Sequence, residues 1–88
     1  MKVKKFGIVG CGMIATFHAR AIREIGAELV ACYDTLPLAA ERLAKEFGCK
    51  PYSDFKAFLA DPDVEIVTVG ATRSIPFNVT VVEAVIVP

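Results

Sequence analysis

At 88 residues the chain has the length of one small domain, and 55% of its residues are hydrophobic, which favours a packed core over disorder. Ten basic and ten acidic residues give a net charge of zero, so the composition predicts neither a nucleic-acid surface nor a polybasic membrane patch. Sheets that bind a nucleotide between flanking helices usually need nearly twice this length. We therefore expect the chain to be part of a larger protein.

Three cysteines, Cys11, Cys32 and Cys49, are odd in number and lack Cys-x-x-Cys spacing. This pattern argues against a disulfide framework and against a zinc site, so we expect reduced thiols and no bound metal. Only the stretch from Phe6 to Gly10 separates the N-terminal lysines from Cys11, whereas an export signal needs about 7–15 apolar residues. No run approaches the ~20 apolar residues of a membrane span. We therefore expect a cytoplasmic protein that does not bind membranes.

The first half of the chain has the pattern of a βαβ unit. The stretch from Val3 to Val9 is apolar after its lysines, which predicts a central strand that is covered on both faces. A helix is predicted from Met13 to Ile25, with Gly26 as its stop, and a second buried strand over 28–34. Helical spacing predicts that the helix faces the sheet with Ile14, Phe17, Ala21, Ile22 and Ile25.

The turn between this strand and this helix has the pattern Gly-x-Gly-x-x-Ala from Gly10 to Ala15. Gly10 permits the tight turn, and Gly12 has no side chain that would keep a diphosphate away from the main chain. Ala15 lets the helix pack closely on the strand. The unpaired amides of Met13 and Ile14 then point at the anion, helped by the positive end of the helix dipole. In this setting the pattern predicts a dinucleotide-binding site.

Asp34 stands at the end of the second strand and bears on the choice of cofactor. A carboxylate there accepts hydrogen bonds from the ribose hydroxyls and repels a 2′-phosphate, which favours NAD over NADP. Thr35 and Leu36 supply no adjacent arginine to offset that repulsion, although Arg42 lies one or two helical turns further on. The alternative is that Asp34 only caps the helix that follows.

In the second helix Thr35 is the predicted cap and Pro37 lies in the first turn. Its apolar stripe consists of Ala40, Leu43, Ala44 and Phe47, and Gly48 ends it. Residues 50–52 are predicted to be a link.

Ser53 is predicted to cap a brief helix that buries Phe55, Phe58 and Leu59. A third strand follows over 64–70. Alternating strands and helices predict an α/β fold: a Rossmann-type parallel sheet of three to four strands with flanking helices, incomplete at this length.

Five segments of the sequence, in register, resemble the N-terminal domain of the glucose–fructose oxidoreductase / inositol dehydrogenase (Gfo/Idh/MocA) family: residues 7–15, 33–34, 39–44, 53–54 and 60–67. The resemblance covers roughly residues 3–70. It implies a nicotinamide-dependent oxidoreductase of sugars or polyols, whose substrate is held by a second domain. It also implies that Gly10, Gly12, Met13 and Ile14 hold the diphosphate and that Asp34 binds the adenosine ribose.

The chain departs from the family pattern after Gly70. Family members usually continue with a Thr-Pro segment, an alanine-rich helix and a Glu-Lys-Pro segment whose lysine assists catalysis, and the 88 residues contain no Glu-Lys-Pro. We therefore expect residues 1–70 to form the NAD(P)-binding part and 71–88 a divergent tail, from a changed reading frame or an interrupted gene. β-Branched residues between Val79 and Val87 favour a strand in the tail.

Two other functions stay open at this point. The chain could be a non-catalytic binding or interaction module that retains the fold, or an S-adenosylmethionine-binding protein with a similar glycine turn.

A truncated sheet would leave apolar faces and edges exposed, so we also expect self-association. No catalytic residue is predicted: His18 is expected to be packed or partly solvated, and Cys11 to fill space near the phosphates.

Overall fold

The computed structural model of the chain describes residues 3–69 and the strand at 83–86. The helices are α1 (Met13–Glu24), α2 (Pro37–Phe47) and α3 (Phe55–Leu59). The strands are β1 (Lys5–Val9), β2 (Glu28–Tyr33), β3 (Lys50–Tyr52), β4 (Ile66–Val69) and β5 (Glu83–Ile86). The elements β1, α1, β2 and β4 begin and end within a few residues of the bounds predicted for them. Gly70 and the predicted tail outside 83–86 lie outside the described residues.

The strands form one sheet in the order β3-β2-β1-β4-β5. The first four are parallel, which confirms the predicted Rossmann-type sheet and places β1 in its middle. The fifth strand pairs antiparallel with β4, in the register Val67↔Val85. A strand at 83–86 agrees with the β-branched composition of that segment, although its antiparallel direction was not predicted.

Alternation along the strands divides the interior into two clusters, one on each face of the sheet. On one face Ile8 and Cys32 pack against α1 and α2, and on the other Ala31 and Val67 pack against Phe58 of α3. The register shifts at the Phe6/Gly7 step, because Phe6 pairs with Leu29 whereas Gly7 pairs with Ala31. This bulge puts two consecutive residues of β2, Val30 and Ala31, into the same cluster.

Of the five residues predicted to face the sheet from the first helix, Ile22 is buried and Ile14 half-buried, but the other three are exposed. Ala15, Ala19 and Ile22 are buried against the sheet, whereas Phe17 is 58% and Ile25 72% exposed. Ala21, also predicted to face the sheet, is exposed. The small side chains of Ala15 and Ala19 allow the helix axis to lie close to the strands. The larger side chains of Phe17 and Ile25 are exposed to solvent instead. The predicted role of Ala15 in close packing is confirmed by its complete burial.

Three predictions about the later elements were wrong. Residues 50–52 form an edge strand rather than a link, since an edge position tolerates Pro51. Leu36, not Thr35, is the N-cap of α2, and Asp54, not Ser53, caps α3 by accepting a hydrogen bond from the Lys56 amide.

The buried faces of these two helices follow the sequence pattern only in part. In α3 Phe58 alone is fully buried, while Phe55 and Leu59 are exposed. In α2 the stripe of Ala40, Leu43 and Ala44 is buried as predicted, with Phe47 packed beside it. Gly48 ends α2 with a positive φ of 73°.

Candidate functional site

The candidate site lies at the carboxyl edge of the sheet, where β1 ends. The chain passes from β1 to β2 on one side and returns through β4 on the other side, so β1 stands where the strand order reverses. In open α/β sheets such a reversal creates a crevice beyond the carboxyl ends of the strands, and ligands bind there. The glycine turn from Gly10 to Gly12 and the end of β2 at Tyr33 border this crevice.

The turn is fixed by two consecutive amides. Gly10 adopts a φ of 93°, which a residue with a side chain rarely tolerates, and its amide donates to the Tyr33 carbonyl at 2.8 Å. The next amide, that of Cys11, donates to Oδ2 of Asp34 at 2.8 Å. The conformation predicted for Gly10 is therefore present, and the turn is joined to the end of β2.

The following amides are the part of the turn that can hold an anion. Within the described residues, the amides of Gly12, Met13 and Ile14 have no acceptor, while that of Ala15 turns back to the Gly12 carbonyl at 3.1 Å. Gly12 is the N-cap of α1, and no acidic residue lies in the first helical turn to compete for these donors. Three free N–H groups at the positive end of a helix dipole can donate hydrogen bonds to an anion such as a phosphate group.

A further observation at Gly12 fits a large anion. A Cβ placed on Gly12 would meet no atom within 4 Å, and the φ of −81° is open to any residue. The fold itself therefore does not require glycine at this position. The space beside the backbone is open instead, as close approach of a diphosphate would need.

Asp34 lies directly beside this turn and is half-buried. Its Oδ1 accepts from the Leu36 amide at 2.9 Å and its Oδ2 from the Cys11 amide. The first bond closes a turn just before α2, but it is not the helix cap given above as the alternative for Asp34, because Leu36 is the N-cap and α2 has no side-chain cap hydrogen bond. The second bond is non-local, and sequence reasoning missed it. The structure thus brings all five predicted residues together: Gly10, Gly12, Met13, Ile14 and Asp34.

Cys11 and Cys32, beneath the site, are fully buried. Cys11 is buried as predicted for a filler, and its Sγ donates to the Tyr33 carbonyl at 3.4 Å. Hydrogen bonding to Cys11 and Cys49, together with burial, raises the pKa of the Cys32 thiol. A protonated, buried thiol is a poor nucleophile. All three cysteines are free thiols.

His18 takes no part in the glycine turn. It is half-buried and lines an apolar depression of about 290 Å³ between α1 and β4, together with Phe6, Ile25 and Thr68. Across the described ranges, no group of three or more His, Cys, Asp or Glu side chains is arranged to hold a metal ion. In the same ranges, no helix has the length and apolar character needed to cross a bilayer.

The parallel sheet, its central β1 and the glycine turn at the start of α1 place the chain among the dinucleotide-binding α/β proteins. Comparison with known proteins narrows this class. A model of the Gfo/Idh/MocA group, described as an oxidoreductase family with an NAD-binding Rossmann fold, matches residues 4–86. The chain belongs to this family and forms part of its NAD-binding Rossmann domain. The match continues past Gly70, further than the resemblance seen in the sequence alone.

Individual relatives agree with this assignment. Inositol 2-dehydrogenase of Rhizobium meliloti is 36% identical over 66 residues, which are 74% of this chain and 20% of that protein. The WlbA dehydrogenase of Bordetella pertussis, solved with NADH and UDP-GlcNAcA, superposes with a TM-score of 0.74 at 33% identity, over 80% of this chain and 22% of that one.

A third relative was solved with the phosphorylated cofactor. A point mutant of KijD10, a 3-ketoreductase of Actinomadura kijaniata, in complex with TDP-benzene and NADP, has a TM-score of 0.72 at 28% identity, covering 80% of this chain and 23% of that one. The chain therefore spans about a fifth to a quarter of the length of the relatives it matches.

Proposed function

We propose that the chain binds the adenosine diphosphate half of NAD at the carboxyl edge of β1. In this proposal the diphosphate is held by the Gly10 turn and by the free amides of Gly12, Met13 and Ile14. Asp34 accepts hydrogen bonds from the ribose hydroxyls. The observation that carries the proposal is the run of three amides without an acceptor beside an open Gly12. We propose residues 1–70 as the part that binds the nucleotide and 71–88 as a tail, of which 83–86 adds β5 to the edge of the same sheet.

NAD is the preferred cofactor in this proposal. Asp34 places a carboxylate at the end of β2, where a 2′-phosphate would be repelled. Arg42 could offset that repulsion, but it lies exposed on α2, and no ion pair joins it to Asp34 in the part of the chain that the structure describes. We expect NADP to bind at least about tenfold more weakly than NAD, a difference of about 1.4 kcal/mol.

The chemistry of the whole protein is proposed to be hydride transfer to or from a sugar or polyol. Two relatives support this substrate class, because one is named an inositol 2-dehydrogenase and the other was solved with UDP-GlcNAcA. Bound nicotinamide supplies the hydride acceptor or donor. In this proposal the residues of this chain bind the cofactor, and a substrate-binding domain supplies the groups that transfer the proton. A cytoplasmic location is part of this proposal, since nicotinamide chemistry and three free thiols both suit a reducing compartment.

Calorimetric titration of the chain with NAD tests the binding proposal. We expect saturable binding that Gly12→Val weakens at least tenfold, because the added side chain occupies the space of the diphosphate while the backbone conformation tolerates it. Arg20→Gln, on the exposed side of the same helix, serves as the control and should keep the wild-type affinity. A folded wild-type chain without affinity for NAD at millimolar concentration would instead favour a non-catalytic interaction module.

A further inference from the structure

Asp34 holds the glycine turn in place as well as standing where the ribose is proposed to bind. Its Oδ2 accepts the Cys11 amide at 2.8 Å, across 23 residues of sequence. The neighbouring Gly10 amide is held by the Tyr33 carbonyl at 2.8 Å. The turn is therefore attached to the end of β2 at two successive residues, one through the backbone and one through a carboxylate.

The bond to Cys11 decides which amides remain for a ligand. With the amides of Gly10 and Cys11 both engaged, the first free donor is that of Gly12, followed by those of Met13 and Ile14. A turn that lost its bond to Asp34 could rotate the Cys11 peptide. Its free amides would then no longer converge on one anion.

The carboxylate still has capacity for the ribose. Each oxygen accepts one amide, from Cys11 or Leu36, and a carboxylate offers about four lone-pair positions in all. Two positions remain for two hydroxyl donors. An asparagine at this position has only one accepting oxygen, and its other terminal group is an N–H donor. It could therefore keep only one of the two hydrogen bonds from the Cys11 and Leu36 amides.

We propose that Asp34 is a positioning residue for the diphosphate, acting through the Cys11 amide, in addition to its proposed contact with the ribose. This inference rests on the proposed function. It predicts that the carboxylate strengthens the binding of a diphosphate that offers no ribose hydroxyls. Simple electrostatics predicts the opposite sign, because removing a negative charge beside the site should improve the binding of an anion.

The test compares NAD with 2′,3′-dideoxyadenosine 5′-diphosphate, which lacks both hydroxyls. We expect Asp34→Asn to weaken the dideoxy diphosphate about tenfold, the size of effect seen when a charged hydrogen bond is lost. The matched control is Asp54→Asn, because Asp54 likewise accepts the amide two residues further on but caps α3 instead. The control variant should bind both ligands like the wild type.

Hydrogen exchange at the Cys11 amide gives a second readout that does not depend on any ligand. We expect slower exchange at Cys11 in the wild type than in Asp34→Asn, with thermal unfolding used to confirm that both are folded. Loss of NAD affinity in the variant without any loss for the dideoxy diphosphate would overturn the inference and leave Asp34 as a ribose ligand alone. A wild-type chain that binds NAD but not the dideoxy diphosphate would overturn it too. A wild-type chain that binds neither would refute the proposed function itself.

Discussion

Gly7, in the middle of β1, is a residue whose small size the packing requires. A Cβ placed there would lie 2.6 and 2.9 Å from two ring atoms of Phe58 and 3.1 Å from Val64. Phe58 is fully buried among Tyr33, Tyr52 and Phe55, with ring centroids 6.0–6.2 Å away. Gly7 thus lets α3 approach the centre of the sheet.

We expect Gly7→Ala to lower the free energy of unfolding by about 1–3 kcal/mol, the usual cost of overpacking a core. Urea unfolding of both chains measures this difference. The same substitution made in a Phe58→Leu background should cost clearly less, because the shorter side chain leaves room for the new methyl group. An equal cost in the two backgrounds would show that the ring is not the cause.

For single residues, the sequence predicted those features that the local motif alone sets. The positive φ of Gly10 and the close packing of Ala15 follow from the motif itself, and both are present. Two other features depend on residues 23 or more positions apart in the sequence. They are the close contact of the Phe58 ring with Gly7 and the hydrogen bond from Cys11 to Asp34. Only the folded arrangement of the strands brings these pairs together, so no local pattern could indicate them.

Among the elements, the connection from α3 to β4 is held by a buried carboxylate. Asp61 is 5% exposed and accepts from Lys50 Nζ at 2.6 Å and from the Tyr52 hydroxyl at 2.7 Å. Its other oxygen accepts the Asp63 amide at 2.9 Å. Burial raises the pKa of this carboxyl, but the hydrogen bonds from Lys50 and Tyr52 outweigh that effect and lower it overall. The edge strand β3 is therefore tied to the segment that leads into β4.

We expect Asp61→Asn to destabilise the chain by about 1–3 kcal/mol, since the amide has only one accepting oxygen for three donors and no charge to pair with Lys50. Asp63→Asn is the matched control, because the side chain of Asp63 is 49% exposed and lies 3.6 Å from its lysine partners. Exposed pairs of this kind contribute about 0–1 kcal/mol. Chemical unfolding at neutral pH should separate the two variants, and similar losses in both would contradict the role of burial.

The effect of Asp61 should depend on pH. A pKa lowered below the unfolded value of about 3.9 means that the stabilisation is complete above that pH and is lost as the pH falls through the folded-state value. The difference between the wild type and Asp61→Asn should therefore shrink as the pH falls from about 5 towards 2. Hydrogen bonding to Asp61 raises the pKa of Tyr52 and of Lys50, so their contribution is present below about pH 10 and is lost above it.

Elements with a strong periodic pattern were predicted and those without one were not. α2 carries an apolar stripe, a proline in its first turn and a glycine at its end, and its buried residues were found as expected. β3 has three residues, of which one is a charged lysine and one a proline, so neither its composition nor its length indicated a strand. It forms because parallel pairing with β2 is available at the edge of the sheet.

At the scale of the whole molecule, apolar surface remains exposed along one side of α1. Met13 is 80% and Phe17 58% exposed on α1, and Ile25, the C-cap residue of that helix, is 72% exposed. The apolar depression between α1 and β4 adjoins this surface, and the buried Thr68 hydroxyl at its base has no hydrogen-bond partner in the part of the chain that is described. Contiguous apolar surface of this kind favours association with another surface.

We accordingly expect the chain to self-associate reversibly as its concentration rises, which sedimentation velocity would measure. Ile25→Gln should weaken the association about tenfold, because burying an isoleucine side chain contributes on the order of 1.5–3 kcal/mol and glutamine forfeits most of it. Leu38→Gln is the control, since Leu38 is 80% exposed on α2 and does not line the depression. If both substitutions weaken association equally, the contact is non-specific. If the wild type sediments as a monomer at every concentration, the exposed side of α1 does not drive self-association.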